Sequence, residues 1–373
     1  MQNNTIQAFI ALVRAGLWEK EAQLSTLGKI DFSELMQITE DQAVVGLVTA
    51  GLEHVVDVKV PQEELLQFIG QSLQLEQRNN EMNAFVSKII ELLRKKDIYA
   101  LLVKGQGIAQ CYERPLWRTS GDIDLLLSST NYEAAKKVLI PIATRVEEEN
   151  IRCKHIGLTI DSWMVELHGT LRSNCLHRMD KVTDLVQDDV FYGENVRSWY
   201  NGNTTVFLPS PDNDVFFVFT HILKHFFHGG IGIRQICDWC RLLWIFREKV
   251  DVQKLEKRLK RAGIISEWKA FSAFAVEYLG MPVCAMPLYV PCKKWSKKAE
   301  RIKIYIIEKG NFGHNVATYE QNTTDVASRK LFSFKRYTRD ALQQFFLFPG
   351  NSIRVWLWVL KVGVLTMFTK NGN

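Results

Sequence analysis

Residues 104–127 read KGQGIAQCYERPLWRTSGDIDLLL. Asp122 and Asp124 alternate with Ile123 and Leu125, which is the signature of a β-strand, where residues two apart share a face. Both carboxylates then project together, while Ile123, Leu125 and Leu127 anchor the strand. Two acids held side by side repel each other, and a divalent cation is the usual remedy. Upstream, the apolar run Tyr99–Val103 leads into Lys104, Gly105 and Gly107. A glycine turn after a strand lets backbone N–H groups approach phosphate oxygens closely. Taken alone, Asp-x-Asp and Gly-x-Gly are common fragments without chemistry. Their order here, strand, glycine turn, basic residues, acidic strand, points to phosphoryl or nucleotidyl transfer.

Glu166 is the candidate third acid. His155–Ile160, Asp161-Ser162 and Trp163–His168 read as a β-hairpin, with apolar and β-branched flanks about a polar turn. On its second strand Val165 and Leu167 face one way, and Met164, Glu166 and His168 the other. The plain alternative is a solvated edge face. Three carboxylates on adjacent strands would suit one or two Mg²⁺ ions bridging a triphosphate and an acceptor.

Glycine turn, Asp-x-Asp strand and a later acid on another strand resemble the polymerase-β-like nucleotidyltransferase superfamily. More closely, LLVKG, R-x-x-x-D-I-D-L-L-L, V-E-L-H and the stretch His221–Leu242 resemble a bacterial family of uncharacterised nucleotidyltransferases, across about 100–245. The resemblance implies that Asp122, Asp124 and Glu166 ligate Mg²⁺ and that one of them accepts the proton of the attacking hydroxyl. It implies a nucleoside triphosphate (NTP) as substrate, with NMP passed to a hydroxyl or phosphate of a small molecule or protein. The superfamily's turn usually runs Gly-Ser or Gly-Gly; this chain has Gly105-Gln106, with Lys104-Gly105 as the close family's substitute. Lys104, Gly105 and Gln106 are the expected phosphate turn. Arg118, four residues before Asp122, has the planar fork that suits phosphate. His168 shares a face with Glu166 and is either a ligand-orienting or a structural histidine. His225, Arg234 and Asp238 are expected on the nucleotide or acceptor side; otherwise Arg234 and Asp238, at i and i+4, form a helix salt bridge. A chain that kept the fold but lost catalysis, and acts as a binding module, is the non-enzymatic alternative.

With 373 residues, 47% hydrophobic and 24% charged, the composition is that of an ordinary globular protein. The net charge of +6 suits a polyanionic ligand but is too diffuse to indicate nucleic acid. Seven cysteines do not describe a disulfide framework, and Cys237-x-x-Cys240 reads as two reduced thiols. Arg14 interrupts the first apolar stretch, as no signal peptide would, so a cytoplasmic location is expected. His221, His225 and His228 fall on one helical face without an obvious fourth ligand, a weak case for zinc. Val355–Phe368 is too short to span a bilayer as a helix. It reads as a buried terminal helix, or else as a peripheral membrane contact through Trp356 and Trp358.

The expected fold class is α+β: a small mixed sheet carrying the nucleotidyltransferase core (96–208), flanked by an N-terminal helical region (1–95) and a C-terminal helical region (209–373). Ile6, Phe9, Ile10 and Val13, and then Leu65, Phe68, Ile69 and Leu73, recur at helical spacing. A long helix is expected over 63–95, a strand over 98–103 and a helix over 131–139. Helices are also expected over 215–227, opened by Asp212 or Asn213 as cap, and over 234–247, 251–262 and 265–279. Asn311–Ser328 is polar but long for a segment that is loop throughout. The helices beyond 209 should close a cleft over the sheet.

Overall fold

The computed structural model describes residues 3–193, 195–311 and 326–369, with 326–334 and 362–369 described by backbone alone. Most of the polar segment Asn311–Ser328 lies outside the described residues. Helices α1 (Asn3–Trp18), α2 (Phe32–Asp41) and α3 (Val45–Glu53) precede the long α4 (Gln62–Arg94). The expected apolar stripe holds on α1, where Phe9 and Val13 are fully buried. On α4 it fails at the start: Phe68 is buried, but Ile69 and Leu73 are exposed. The second half of α4 does the packing instead, laying Met82, Phe85, Val86, Ile89, Ile90 and Leu93 on the sheet.

The chain then runs β1 (Ala100–Val103), α5 (Gly105–Ala109), β2 (Asp122–Leu127), α6 (Ser129–Leu139), β3 (Arg145–Val146), β4 (His155–Ile160) and β5 (Trp163–His168). The hairpin β4–β5 has its expected limits. Asp161 and Ser162 both take positive φ, 48° and 72°, the pair of values that lets a two-residue turn follow the strand twist. After α7 (His177–Tyr192) a second hairpin, β6 (Val196–Asn201) and β7 (Thr204–Pro209), completes a seven-stranded sheet in the order β3-β4-β5-β2-β1-β7-β6. The sheet is mixed, because β2 pairs parallel with β5 and antiparallel with β1, while β1 pairs parallel with β7. It is larger than expected, since β6–β7 adds two strands on the β1 side.

Helices α8 (Pro211–His228), α9 (Ile233–Ile245), α10 (Val252–Ala262), α11 (Ile265–Glu277), α12 (Lys293–Lys309), α13 (Val326–Phe345) and α14 (Pro349–Thr369) follow. Pro211 opens α8 from the first helical position, where its missing N–H costs nothing, and Ser210 precedes it as the cap residue. Asp212 and Asn213 do not cap the helix. Asp212 accepts from the Asp251 backbone N–H at 2.8 Å, and Asn213 from Arg258 at 2.8 Å. One apolar core joins α1–α3 to α7–α12 and reaches Val355 on α14. On α14 Val355 is buried, whereas Leu357 and Trp358 are exposed, so this helix rests on the body along one side only. Among the described residues no helix is long and apolar enough to cross a membrane.

Candidate active site

Parallel pairing sets Asp124 of β2 directly opposite Glu166 of β5, and Asp122 opposite Met164. Carboxylate oxygens of Asp122, Asp124 and Glu166 consequently lie within 4.8 Å of one another. Ile123, Leu125, Val165 and Leu167 point to the other face and are fully buried, which fixes the direction of the acids.

Basic side chains surround this cluster. Lys104 Nζ lies 2.8 Å from Asp124 Oδ1, and His168 Nε2 lies 2.7 Å from the same oxygen. His155 Nε2 stands 3.0 Å from Glu166 Oε2, and His168 Nε2 stands 3.4 Å from it. Repulsion from Asp124, with burial, raises the pKa of Asp122. For Asp124 burial works upward, but Lys104 and His168 outweigh it and the net shift is down. Glu166 also shifts down, because hydrogen bonds from His155 and His168 overcome its burial. Basic partners thus favour the charged forms of Asp124 and Glu166, and a bound cation could replace those partners.

The turn after β1 is tight: Lys104 takes φ 60° and Gly105 φ 44°. A Cβ at Gly107 would meet Leu208 Cδ2 at 2.6 Å, so glycine there permits α5 to pack against β7. Gln106 is turned away from the cleft. It is 2% exposed and donates to Asn79 Oδ1 at 2.9 Å, beneath α4. Lys104 and Gly105 both border the acidic cleft.

Arg118 and Asp238 find each other across the cleft wall, and Arg118 also donates through Nη1 to Ser120 Oγ at 2.7 Å. Arg118 Nε and Nη2 donate to Asp238 Oδ1 and Oδ2 at 2.9 and 2.7 Å, a bidentate buried pair, and the Tyr112 hydroxyl adds a bond of 2.8 Å. Asp238 is therefore held by Arg118 from the loop before β2, and the alternative salt bridge with Arg234 is not formed. Arg234 instead donates through Nη1 to the Thr119 carbonyl at 2.7 Å, while its buried Nε has no hydrogen-bond partner among the described residues. Arg118, Arg234, Asp238 and the two aspartates line a small cavity of about 60 Å³.

A larger cavity of about 530 Å³ opens on the other side of Asp122, bordered by Glu166 and His168 from the sheet and by His221, Lys224 and His225 from α8. The helices beyond 209 thus form one wall of a cleft whose other wall is the sheet. His221 and His225 bring Nε2 atoms to 2.9 Å of each other, and burial, then the charge of Lys224, holds His225 down to about 3. His155 and Lys224 are cleft residues that sequence reading passed over. Counting register across the hairpin would have found His155, which pairs with His168. Lys224 carried no local signal.

A family model described as "Uncharacterised nucleotidyltransferase" matches residues 28–280, well over half of the chain. The chain belongs to this family. Nucleotidyl transfer is accordingly its chemistry, a transfer of phosphorus-containing groups, and the acidic cluster is compatible with it. No curated protein and no solved structure matches the chain.

Proposed function

We propose that this nucleotidyltransferase uses Mg²⁺ to transfer NMP from an NTP to a hydroxyl or phosphate of an acceptor, releasing pyrophosphate. The observation that carries the reading is the convergence of Asp122, Asp124 and Glu166 within 4.8 Å at a cavity mouth. An all-oxygen set of like charges, with Asp122 raised by repulsion, fits a hard cation such as Mg²⁺. When bound, Mg²⁺ supplies neutralisation of phosphate charge and alignment of the attacking oxygen.

The chain's own residues do the rest. Arg234, which lines the small cavity together with Asp122, supplies positive charge for a phosphate oxygen. Lys104, at the glycine turn, supplies a second positive charge. Arg118 and Asp238 brace that wall by their mutual pair, His225 borders the acceptor side, and His168 orients Asp124 and Glu166. The acceptor oxygen forms a bond to the α-phosphorus while the bond to the bridging oxygen breaks. One of the three acids, with Glu166 best exposed to the large cavity, takes the acceptor proton. A volume of about 530 Å³ is that of a small-molecule site, which favours a small acceptor over a protein side chain. Seven free cysteines support a reducing, cytoplasmic setting.

Wild type should release pyrophosphate from at least one NTP when Mg²⁺ and an acceptor-containing lysate fraction are present. Asp122→Asn and Glu166→Gln should each lower that rate by a factor of about 10²–10³, as expected for loss of transition-state charge stabilisation. Equal rates in wild type and both variants would refute catalysis by this cluster. No release across all NTPs, with a partner still bound, would favour the binding-module reading.

A further inference from the structure

Glu166 belongs to two side-chain groups at once. One is the all-oxygen set with Asp122 and Asp124; the other is His155, Glu166 and His168, whose ligand atoms also lie within 4.8 Å of one another. The second group comes from a single hairpin. His155 on β4 pairs in register with His168 on β5, and Glu166 precedes His168 by two residues on the same face. Both imidazole Nε2 atoms approach the same Glu166 oxygen, at 3.0 and 3.4 Å. Donors bound at about 2.1 Å to one cation stand about 3.0–3.4 Å apart, from octahedral to tetrahedral angles. Two of the three donor pairs on the hairpin thus stand at the spacing of a coordination shell, and all three ligand atoms lie within 4.8 Å of one another. All three are partly exposed and border the large cavity, so a fourth position would open onto it.

We propose that His155, Glu166 and His168 form a second cation site, selective for a borderline transition ion of the Zn²⁺ or Co²⁺ class over Mg²⁺. Two imidazoles and one carboxylate suit such ions, whereas Mg²⁺ prefers oxygen and water. Three protein ligands with an open fourth position are the pattern of a catalytic rather than a structural zinc site. Glu166 would then be shared between a hard and a borderline ion, with the latter on the acceptor side. That placement rests on the transferase reading; the binding itself does not.

The test is an absorption titration of the full-length chain with Co²⁺, without nucleotide and under excess Mg²⁺. One equivalent should bind with the visible bands of a low-coordinate, nitrogen-containing shell, and one equivalent of Zn²⁺ should bleach them. His155→Gln should weaken Co²⁺ binding at least about tenfold, while Asp122→Asn leaves it within about twofold. Should His155→Gln fold poorly, X-ray absorption of Co²⁺-loaded wild type decides, with two imidazole ligands expected. An all-oxygen shell, displacement by Mg²⁺, or loss of binding in Asp122→Asn would overturn the second site. Failure to bind Co²⁺, in a preparation that still releases pyrophosphate with Mg²⁺, would overturn this site and leave the transferase reading intact. Stoichiometric Co²⁺ binding without any pyrophosphate release would support the site and count against the transferase reading.

Discussion

At the scale of single residues, Asp122 and Asp124 look equivalent in sequence and are not equivalent in the fold. From sequence alone, replacing both with asparagine should relieve repulsion and spare or improve folding. That expectation now applies to Asp122, whose pKa is raised chiefly by Asp124; Asp122→Asn should be neutral or mildly stabilising. Asp124 is 2% exposed and pairs with Lys104 and His168. Asp124→Asn strands a buried ammonium that only Asp122 and Glu166 still oppose, and should cost on the order of 2–3 kcal/mol. Denaturant unfolding of the two single variants checks this, and equal stabilities would contradict it. The acids themselves were legible because strand alternation fixes which way a side chain points. That Lys104 and His168 pair with Asp124 was not legible, because they reach it through backbone conformation and register that no local pattern encodes. Gln106 shows the same limit: position beside Gly105 suggested a phosphate contact, but the turn aims it at Asn79.

Among elements, the turns with forced chemistry were the readable ones. Asp161-Ser162 closes β4–β5 as expected, whereas α8 opens at Pro211, upstream of the expected cap at Asp212 or Asn213. Gly202-Asn203, with Gly202 at φ 58° in the first turn position, is an equally strong hairpin signal for β6–β7. Long-range pairing was out of reach, since nothing local in β7 says that it lies parallel to β1. Helix α8 carries a testable consequence of its position. His225 faces the cleft with Lys224, Lys104, His228 and Arg234 as charged or titratable neighbours, and its folded pKa falls from 6.5 to about 3. A group with a depressed folded pKa contributes fully above the unfolded value and loses that contribution as pH falls. Stability should therefore decline as pH drops from 6.5 towards 3, by about 4 kcal/mol from His225. His225→Leu should flatten this decline in urea midpoints measured between pH 6.5 and 4.5, above the ordinary carboxylate range. An unchanged slope would show that the imidazole is not held neutral.

Across the whole molecule, the N-terminal helices and the helices after residue 209 share one core, and the sheet has a second core under α4. The close crossing of α1 and α3 depends on glycine: a Cβ at Gly16 would meet the Leu47 carbonyl oxygen at 1.9 Å, and one at Gly51 would meet that of Leu12 at 2.1 Å. Gly16→Ala should cost about 2–3 kcal/mol and lower the melting temperature, although residue 16 lies far along the chain from the acids. A melting temperature unchanged from wild type would contradict the close crossing. Sequence periodicity revealed α1 but not its crossing partner, because a glycine contact has no periodic signature.

The central claim is that the acidic cleft transfers the nucleotidyl, not the terminal phosphoryl, group. Parallel reactions with α-labelled and γ-labelled NTPs, Mg²⁺ and the same acceptor fraction test it most directly. α-Label is expected in the acceptor and γ-label in pyrophosphate, both lost in Asp122→Asn. Label reaching the acceptor only from the γ position, or α-label transfer undiminished in Asp122→Asn, would contradict it.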